Sequence, residues 1–229
     1  MLLASAEPTG LLVSLHACDT AAFLRLNALH SPAADGVVRF VSGPWLLALV
    51  HLVLLAAIVR WRDWRRSIVL LSLLTLVILV DLAGAHAIKE LVQRPRPSWL
   101  PELESTIHLV DGRRGGAFGF VSTHTAYAFA IAAFAFLHVR RRSVVALVFV
   151  WALAVGYSRI YLGLHYPGDV LGGAAWGALV AFAATRLPAG ARTWLAQSPR
   201  LPAGAPSSLG ATPPALPHTA TPAAPSVSA

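Results

Sequence analysis

SIVLLSLLTLVILVDLAGAHAI, residues 67–88, follows the basic run RWRDWRR, residues 60–66, and leads into KELVQRPRP, residues 89–97. Its one carboxylate, Asp81, and one imidazole, His86, sit in an otherwise apolar run. As a helix rising about 1.5 Å per residue, the run is long enough to cross a ~30 Å hydrocarbon core. Lipid offers the backbone no hydrogen-bond partners, so such a segment must be helical. Comparable runs occur at Pro44 to Val59, Val121 to Val139, Val144 to Leu162 and Gly168 to Leu187. The expected fold is an all-α polytopic membrane helical bundle with five transmembrane spans.

Composition agrees. The 229 residues are 56% hydrophobic and 12% charged, with a mean hydropathy of +0.65, too apolar for an ordinary soluble domain. The net charge of +8 does not point to nucleic acid, because the basic residues cluster beside apolar runs and form no polar face. The lone Cys18 allows no internal disulfide, and no charged stretch precedes Leu11-Leu12-Val13, so the N-terminus does not read as a signal peptide.

Leu11 to Leu29 is interrupted by His16, Asp19, Arg25 and Asn27, while Leu15, Ala22, Phe23 and Leu26 recur at helical spacing. It reads as an N-terminal interfacial helix, with a sixth span as the alternative. Arg60 to Arg66 and Arg140-Arg141-Arg142 fill short inter-span loops, which places both loops, and the C-terminus after Arg186, in the cytoplasm. Residues 1–187 are expected to form one membrane domain. Residues 188–229, rich in Pro, Ala and Ser, are expected to be a disordered tail.

Span parity then gathers scattered polar residues. Lys89 ends the second span, Ser122 and His124 begin the third, Arg159 ends the fourth, and His165 and Asp169 begin the fifth. All six fall on the face opposite the Arg loops, together with Arg94 and Arg96. Basic groups collected at helix ends suit an anion, and a planar guanidinium pairs well with phosphate or carboxylate. Ser122 occupies an N-cap position, so the amides of Thr123 and His124 can face phosphate oxygens. His165 with Asp169 four residues on suggests an imidazole oriented by a carboxylate. His124 is placed to give a proton to a leaving oxygen.

Lys89-x6-Arg96-Pro97, Ser122-Thr123-His124, and Ser158-Arg159-x5-His165-x3-Asp169 resemble the three motifs of the type 2 phosphatidic acid phosphatase family, which shares its core with vanadium haloperoxidases. The resemblance implies that His165 attacks phosphorus to give a phosphohistidine and Asp169 orients it. It implies that His124 protonates the leaving group, and that Lys89, Arg96, Ser122, Thr123 and Arg159 bind the phosphoryl oxygens. No metal or other cofactor is implied. Val121 and Thr123 depart from the family's Pro and Gly in the middle motif. Thr123 must therefore keep an ordinary helical or extended backbone.

The expected activity is hydrolysis of a terminal phosphate from a lipid phosphate or diphosphate at the outer face of a bacterial-type inner membrane. Undecaprenyl diphosphate is favoured, followed by phosphatidic acid, phosphatidylglycerol phosphate and a lipid A phosphate. The rival readings are a lipid phosphotransferase using the same site, and a transporter or scaffold that only binds anionic lipid. Arg94, Arg113 and Arg114 have no motif slot and read as headgroup or loop contacts. Asp81 and His86 read either as a pair supporting the site or as plain structural polar residues. His51 reads as interfacial, and Gly173-Ala174-Ala175-Trp176-Gly177 as a surface for close helix packing within the chain.

Overall fold

The computed structural model describes residues 10–61 and 64–186. Among them are seven α-helices and no strand: α1 (Gly10–Asn27), α2 (Pro32–Val41), α3 (Pro44–Trp61), α4 (Trp64–Val92), α5 (Thr123–His138), α6 (Arg142–Tyr161) and α7 (Pro167–Thr185). The described residues all belong to one compact unit. The expected disordered tail lies outside the described residues.

The centre of the bundle is α5. Its Ala126, Ala128, Ala130, Ile131, Ala132, Ala133, Phe134 and Ala135 are all buried, as befits a helix apolar all round. Small side chains let neighbours come close, and α7 comes closest through Gly173 and Gly177. A Cβ on Gly177 would lie 2.0 Å from the Ala126 carbonyl oxygen, and one on Gly173 would lie 2.6 Å from that of Ser122. The glycine-flanked pentapeptide is thus intramolecular packing. Trp176 between them fills the space left by Gly84 on α4.

The outer helices turn one stripe inward and leave the other side to solvent or lipid. On α4 the stripe is Leu74, Val77, Asp81, Ala85 and Lys89, spaced three and four residues apart. On α6 it is Val148, Trp151, Ala152, Val155 and Arg159, and on α7 it is Asp169, Gly173, Gly177, Val180 and Ala181. Leu76, Leu79, Leu147, Leu153, Leu171 and Phe182 point outward and are exposed, as a lipid-facing belt requires.

Among the described residues three helices are long and apolar enough to cross a membrane: Ser67–Val92, Arg142–Tyr161 and Pro167–Thr185. A fourth crossing arises if Pro32–Val41 and Trp45–Arg60, bent by 42° at a short break, count as one. The α5 helix has 16 residues, about 24 Å at helical rise, so its expected span is shorter than a full hydrocarbon core.

The α2 helix was not foreseen as a separate element; Ser31 caps it, its Oγ accepting from the Ala34 amide at 3.3 Å, and Pro32 opens it. Of the two readings of Asp81 and His86, the pair is not formed, because five residues along a helix turn a side chain about 140° away. Asp81 is buried and His86 exposed. His51 is not merely interfacial, since its Nδ1 reaches the Leu47 carbonyl at 2.7 Å and its Nε2 meets the Tyr127 hydroxyl at 2.7 Å.

Candidate active site

Each inward stripe ends at a polar residue, and those ends converge. Lys89 ends the stripe of α4, Arg159 that of α6, and Asp169 begins that of α7, leaving the three residues 8%, 5% and 0% exposed. Such burial of Lys and Arg is rare unless they are paired. Yet among the described residues neither Lys89, Arg96 nor Arg159 has a carboxylate partner. Three cations sharing one corner with a single carboxylate, Asp169, which is paired with Arg94 and with none of the three, make a place for an anion.

The turn after α6 sets His165 beside Arg159. Gly163 takes a positive φ of 73°, which glycine adopts without a Cβ penalty. A Cβ there would also strike Leu109 and the His108 carbonyl. The reversal lets the amides of Leu164 and His165 both donate to the Arg159 carbonyl, at 3.0 and 3.2 Å. His165 is 1% exposed, and its Nδ1 faces Asp169 Oδ2 across 3.4 Å, longer than an ordinary N–H···O bond. Burial drives the imidazole below its usual range, to about 4, against the opposing pull of Asp169. His165 is therefore neutral at neutral pH.

Asp169 is held on every side. Pro167 opens α7, and Asp169 Oδ2 accepts from the Tyr166 amide at 3.1 Å, a carboxylate in a first turn where the helix dipole favours it. Oδ1 accepts from Arg94 Nη1 at 2.9 Å, and the Asp169 carbonyl accepts from the Ser122 amide at 3.0 Å. A side chain at Gly119 would collide with Oδ2.

The opposite wall is the start of α5. Ser122 sits at the N-cap, as expected, but its side chain does not cap the helix. Its Oγ instead accepts from Thr125 Oγ1 at 3.0 Å, and its amide is taken by Asp169. The first helical bond runs from the Ala126 amide to the Ser122 carbonyl, which leaves the amides of Thr123, His124 and Thr125 as first-turn donors. Thr123 is helical, while Val121 is buried against Ala85 and Ala126, so both motif departures fit without disturbing the wall. His124 is exposed toward two cavities and feels the charges of Arg159, His165, Arg96 and Lys89.

Arg96 Nε donates to the Phe118 carbonyl at 3.0 Å, which fixes the plane of its guanidinium; Gly115 leaves room for Nη1, which a Cβ would approach to 2.7 Å. Arg159 Nε donates to Ser158 Oγ at 3.1 Å, leaving its terminal nitrogens for an anion. The eight residues to which the resemblance gives a role, Lys89, Arg96, Ser122, Thr123, His124, Arg159, His165 and Asp169, are thus brought to one corner of the bundle.

Three residues were missed or undervalued. Arg94 bridges Asp169 and Asp19, the latter at 2.7 Å, and lies 4.2 Å over the Tyr166 ring; it is not a loose loop contact. Asp19 on α1 also accepts from the Gly168 amide at 2.8 Å. Asn27 Nδ2 reaches the Tyr161 and Ile160 carbonyls at 2.8 and 3.1 Å, satisfying acceptors left over at the end of α6. The polar interruptions of the first apolar segment were the available signal. Leu15, by contrast, is exposed and does not join Phe23 on the packed face.

Two cavities meet at Ser42, Gly43 and His124. One, of about 380 Å³, is walled by apolar side chains including Leu47, Ile78, Leu82, Trp151 and Val155. The other, of about 310 Å³, mixes Val110, Leu162 and Leu164 with the charged side chains of Arg39, Asp111, Arg113 and Arg159.

A helical bundle that gathers Lys89, Arg96 and Arg159, without carboxylate partners among the described residues, near a buried histidine that faces Asp169 is suited to phosphoryl chemistry. A sequence model of the PAP2 superfamily matches residues 66–192, and the chain belongs to that superfamily of phosphatases. It is 34% identical over 162 residues to the lipid A 4'-phosphatase of Bacteroides thetaiotaomicron, covering 69% of this chain and 72% of that one. It is 32% identical over 208 residues to phosphatidylglycerophosphatase B of Escherichia coli, covering 72% and 76% respectively. The crystal structure of Aquifex aeolicus LpxE superposes with a TM-score of 0.58 at 25% identity, covering 81% of this chain and 99% of that one.

Proposed function

We propose that the protein is a membrane lipid phosphatase, removing a terminal phosphate from a lipid phosphate or diphosphate. The observation that carries this reading is the convergence of Lys89, Arg96 and Arg159, none with a carboxylate of its own, on the buried His165. In the proposed reaction His165 Nε2 attacks phosphorus while Asp169 holds the ring. His124, on the cavity side, gives its proton to the departing ester oxygen. Phosphohistidine forms as the ester bond breaks; water activated by His124 then cleaves it to free phosphate. The three cations and the amides at the start of α5, including that of Thr123, offset charge growing on the equatorial oxygens, where most phosphoryl-transfer catalysis arises. These side chains supply the positive charge a metal would otherwise bring, so the reaction calls for none.

A lipid substrate fits the apolar cavity that opens beside His124, with the phosphate at the polar corner and the chain between helices. The candidates are undecaprenyl diphosphate, phosphatidic acid, phosphatidylglycerol phosphate and lipid A phosphate, the last two supported by the names of the relatives. We place the site on the outer face of an inner membrane with five crossings and a cytoplasmic C-terminus, on the strength of the Arg loops. Residues 1–187 would form the catalytic domain. A panel of these lipids assayed with purified protein and with His165→Ala tests the reading. Phosphate release lost in the variant while lipid binding persists is the expected result; release at the wild-type rate would refute the mechanism.

A further inference from the structure

The serine at the head of α5 takes a partner that an ordinary helix cap would not. An N-cap serine commonly uses its oxygen to accept from a backbone amide two or three residues on. Ser122 holds that position with extended backbone, φ −70° and ψ 108°, yet its side chain makes no such bond. Its Oγ accepts instead from the hydroxyl of the residue three further on, Thr125 Oγ1, at 3.0 Å. Both residues are completely buried, so water does not compete for the contact.

Thr125 has little freedom to turn elsewhere. Its branched Cβ restricts χ1 within a helix, and both neighbouring helices close on it through glycines. A Cβ on Gly173 of α7 would lie 3.3 Å from Thr125 Cβ, and one on Gly156 of α6 would lie 3.6 Å from its Cγ2 and 4.0 Å from its Oγ1. Three helices therefore meet around this one hydroxyl. Thr125 lines neither of the two cavities that meet at His124, so it reaches the reaction corner only through its neighbour.

The direction of the bond decides what is left over. A hydroxyl has one proton to give and two lone pairs with which to accept. Because Thr125 donates, Ser122 Oγ is the acceptor and keeps its own proton, for which no acceptor lies among the described residues. The same bond occupies the Ser122 oxygen, so the first-turn amides of α5 are not drawn into a side-chain cap. We infer that Thr125 is a positioning residue for phosphoryl transfer, turning Ser122 so that the serine O–H and the free amides of α5 all serve as donors to the phosphoryl oxygens. The inference rests on the lipid phosphatase reading above and adds a residue to the machinery of that same site.

A double-mutant cycle on full-length protein in detergent micelles tests it. The four candidate lipids are assayed with the wild type, and the fastest of them carries the cycle. Ser122→Ala should lower kcat about 10- to 100-fold, as loss of one donor to a charged group does. Thr125→Val, which keeps the branched shape and loses the hydroxyl, should lower kcat about threefold to thirtyfold, and Thr125→Ser should restore most of that loss. In the Ser122→Ala background Thr125→Val should change kcat by less than about twofold, because its route to the reaction is already gone. A loss as large in that background as in the intact protein, or wild-type kcat in Thr125→Val alone, would overturn the positioning role and leave the phosphatase reading standing. Release of phosphate from none of the four lipids by the wild-type protein would overturn that reading and the inference with it.

Discussion

Arg94→Gln should separate orientation of His165 from binding of the substrate. Arg94 donates at 2.9 Å to Asp169, a carboxylate with no exposure, and is itself pinned by Asp19 at 2.7 Å. Removing one partner of a fully buried pair costs about 3–5 kcal/mol, but the Arg94 side chain is 20% exposed and Asp169 keeps the Tyr166 amide. A loss of about 2–3 kcal/mol in holding Asp169 is therefore expected, discounted for solvent access. Expressed in the chemical step, this is roughly 30- to 150-fold in kcat, with KM little altered because Arg94 lies outside the proposed phosphate cradle. The sign of the pH effect is fixed by charge. Asp169 without its guanidinium attracts a proton on His165 more strongly, so the imidazole, held near 4 in the intact protein, titrates higher. The acid limb of kcat/KM should move toward neutral pH. Arg94→Lys should recover only part of the rate, since an ammonium cannot span both carboxylates as the planar guanidinium does. Steady-state kinetics over pH 4–8 on a folded variant reads all three effects. Wild-type kcat with an unmoved acid limb would refute the claim that Arg94 acts through Asp169.

Further outcomes concern packing, topology and charge supply. Gly177→Ala places a methyl group 2.0 Å from the Ala126 carbonyl oxygen; it should destabilise the bundle by about 1–3 kcal/mol, seen as a lower Tm in detergent. Gly116→Ala, with nothing within 4 Å, should leave Tm unchanged. In a Cys18→Ser background, which removes the one exposed thiol, Gly116→Cys should react with an impermeant reagent from outside the cytoplasm and Ser143→Cys should not. The reverse pattern would invert the proposed orientation. On the proposed mechanism, in which Lys89, Arg96 and Arg159 supply the positive charge, activity should persist in excess EDTA, and strict dependence on added Mg²⁺ would contradict that cradle.

The helical membrane class was readable from hydropathy alone, since a run such as 67–88 has few other ways to satisfy its backbone. The corner occupied by Lys89, Ser122, His124, Arg159, His165 and Asp169 was readable from parity, a topological property that needs no side-chain detail. What stayed hidden depends on partners far away in sequence. Arg94 next to Arg96 gives no local sign that it reaches Asp169 seventy-five residues on. The Ser122 amide was unassigned until the closeness of α7, set by Gly173, gave it the Asp169 carbonyl. The α2 helix stayed hidden because its Ser31-Pro32 cap precedes only a ten-residue helix and no long apolar run.

The superfamily match begins at residue 66, yet Asp19 and Asn27 of α1 lie ahead of it and grip the loops on either side of His165. Asn27 holds the end of α6 and Asp19 the beginning of α7, so the short turn carrying the histidine is stretched between two anchors on one helix. Chimeras that exchange the first sixty residues among relatives should therefore change turnover even when every motif residue is retained. Deletion of Gly10–Asn27 should leave the motifs intact and the catalytic turn slack. On the proposed mechanism α1 takes part in positioning His165, and libraries aimed at new lipid specificity have reason to begin there.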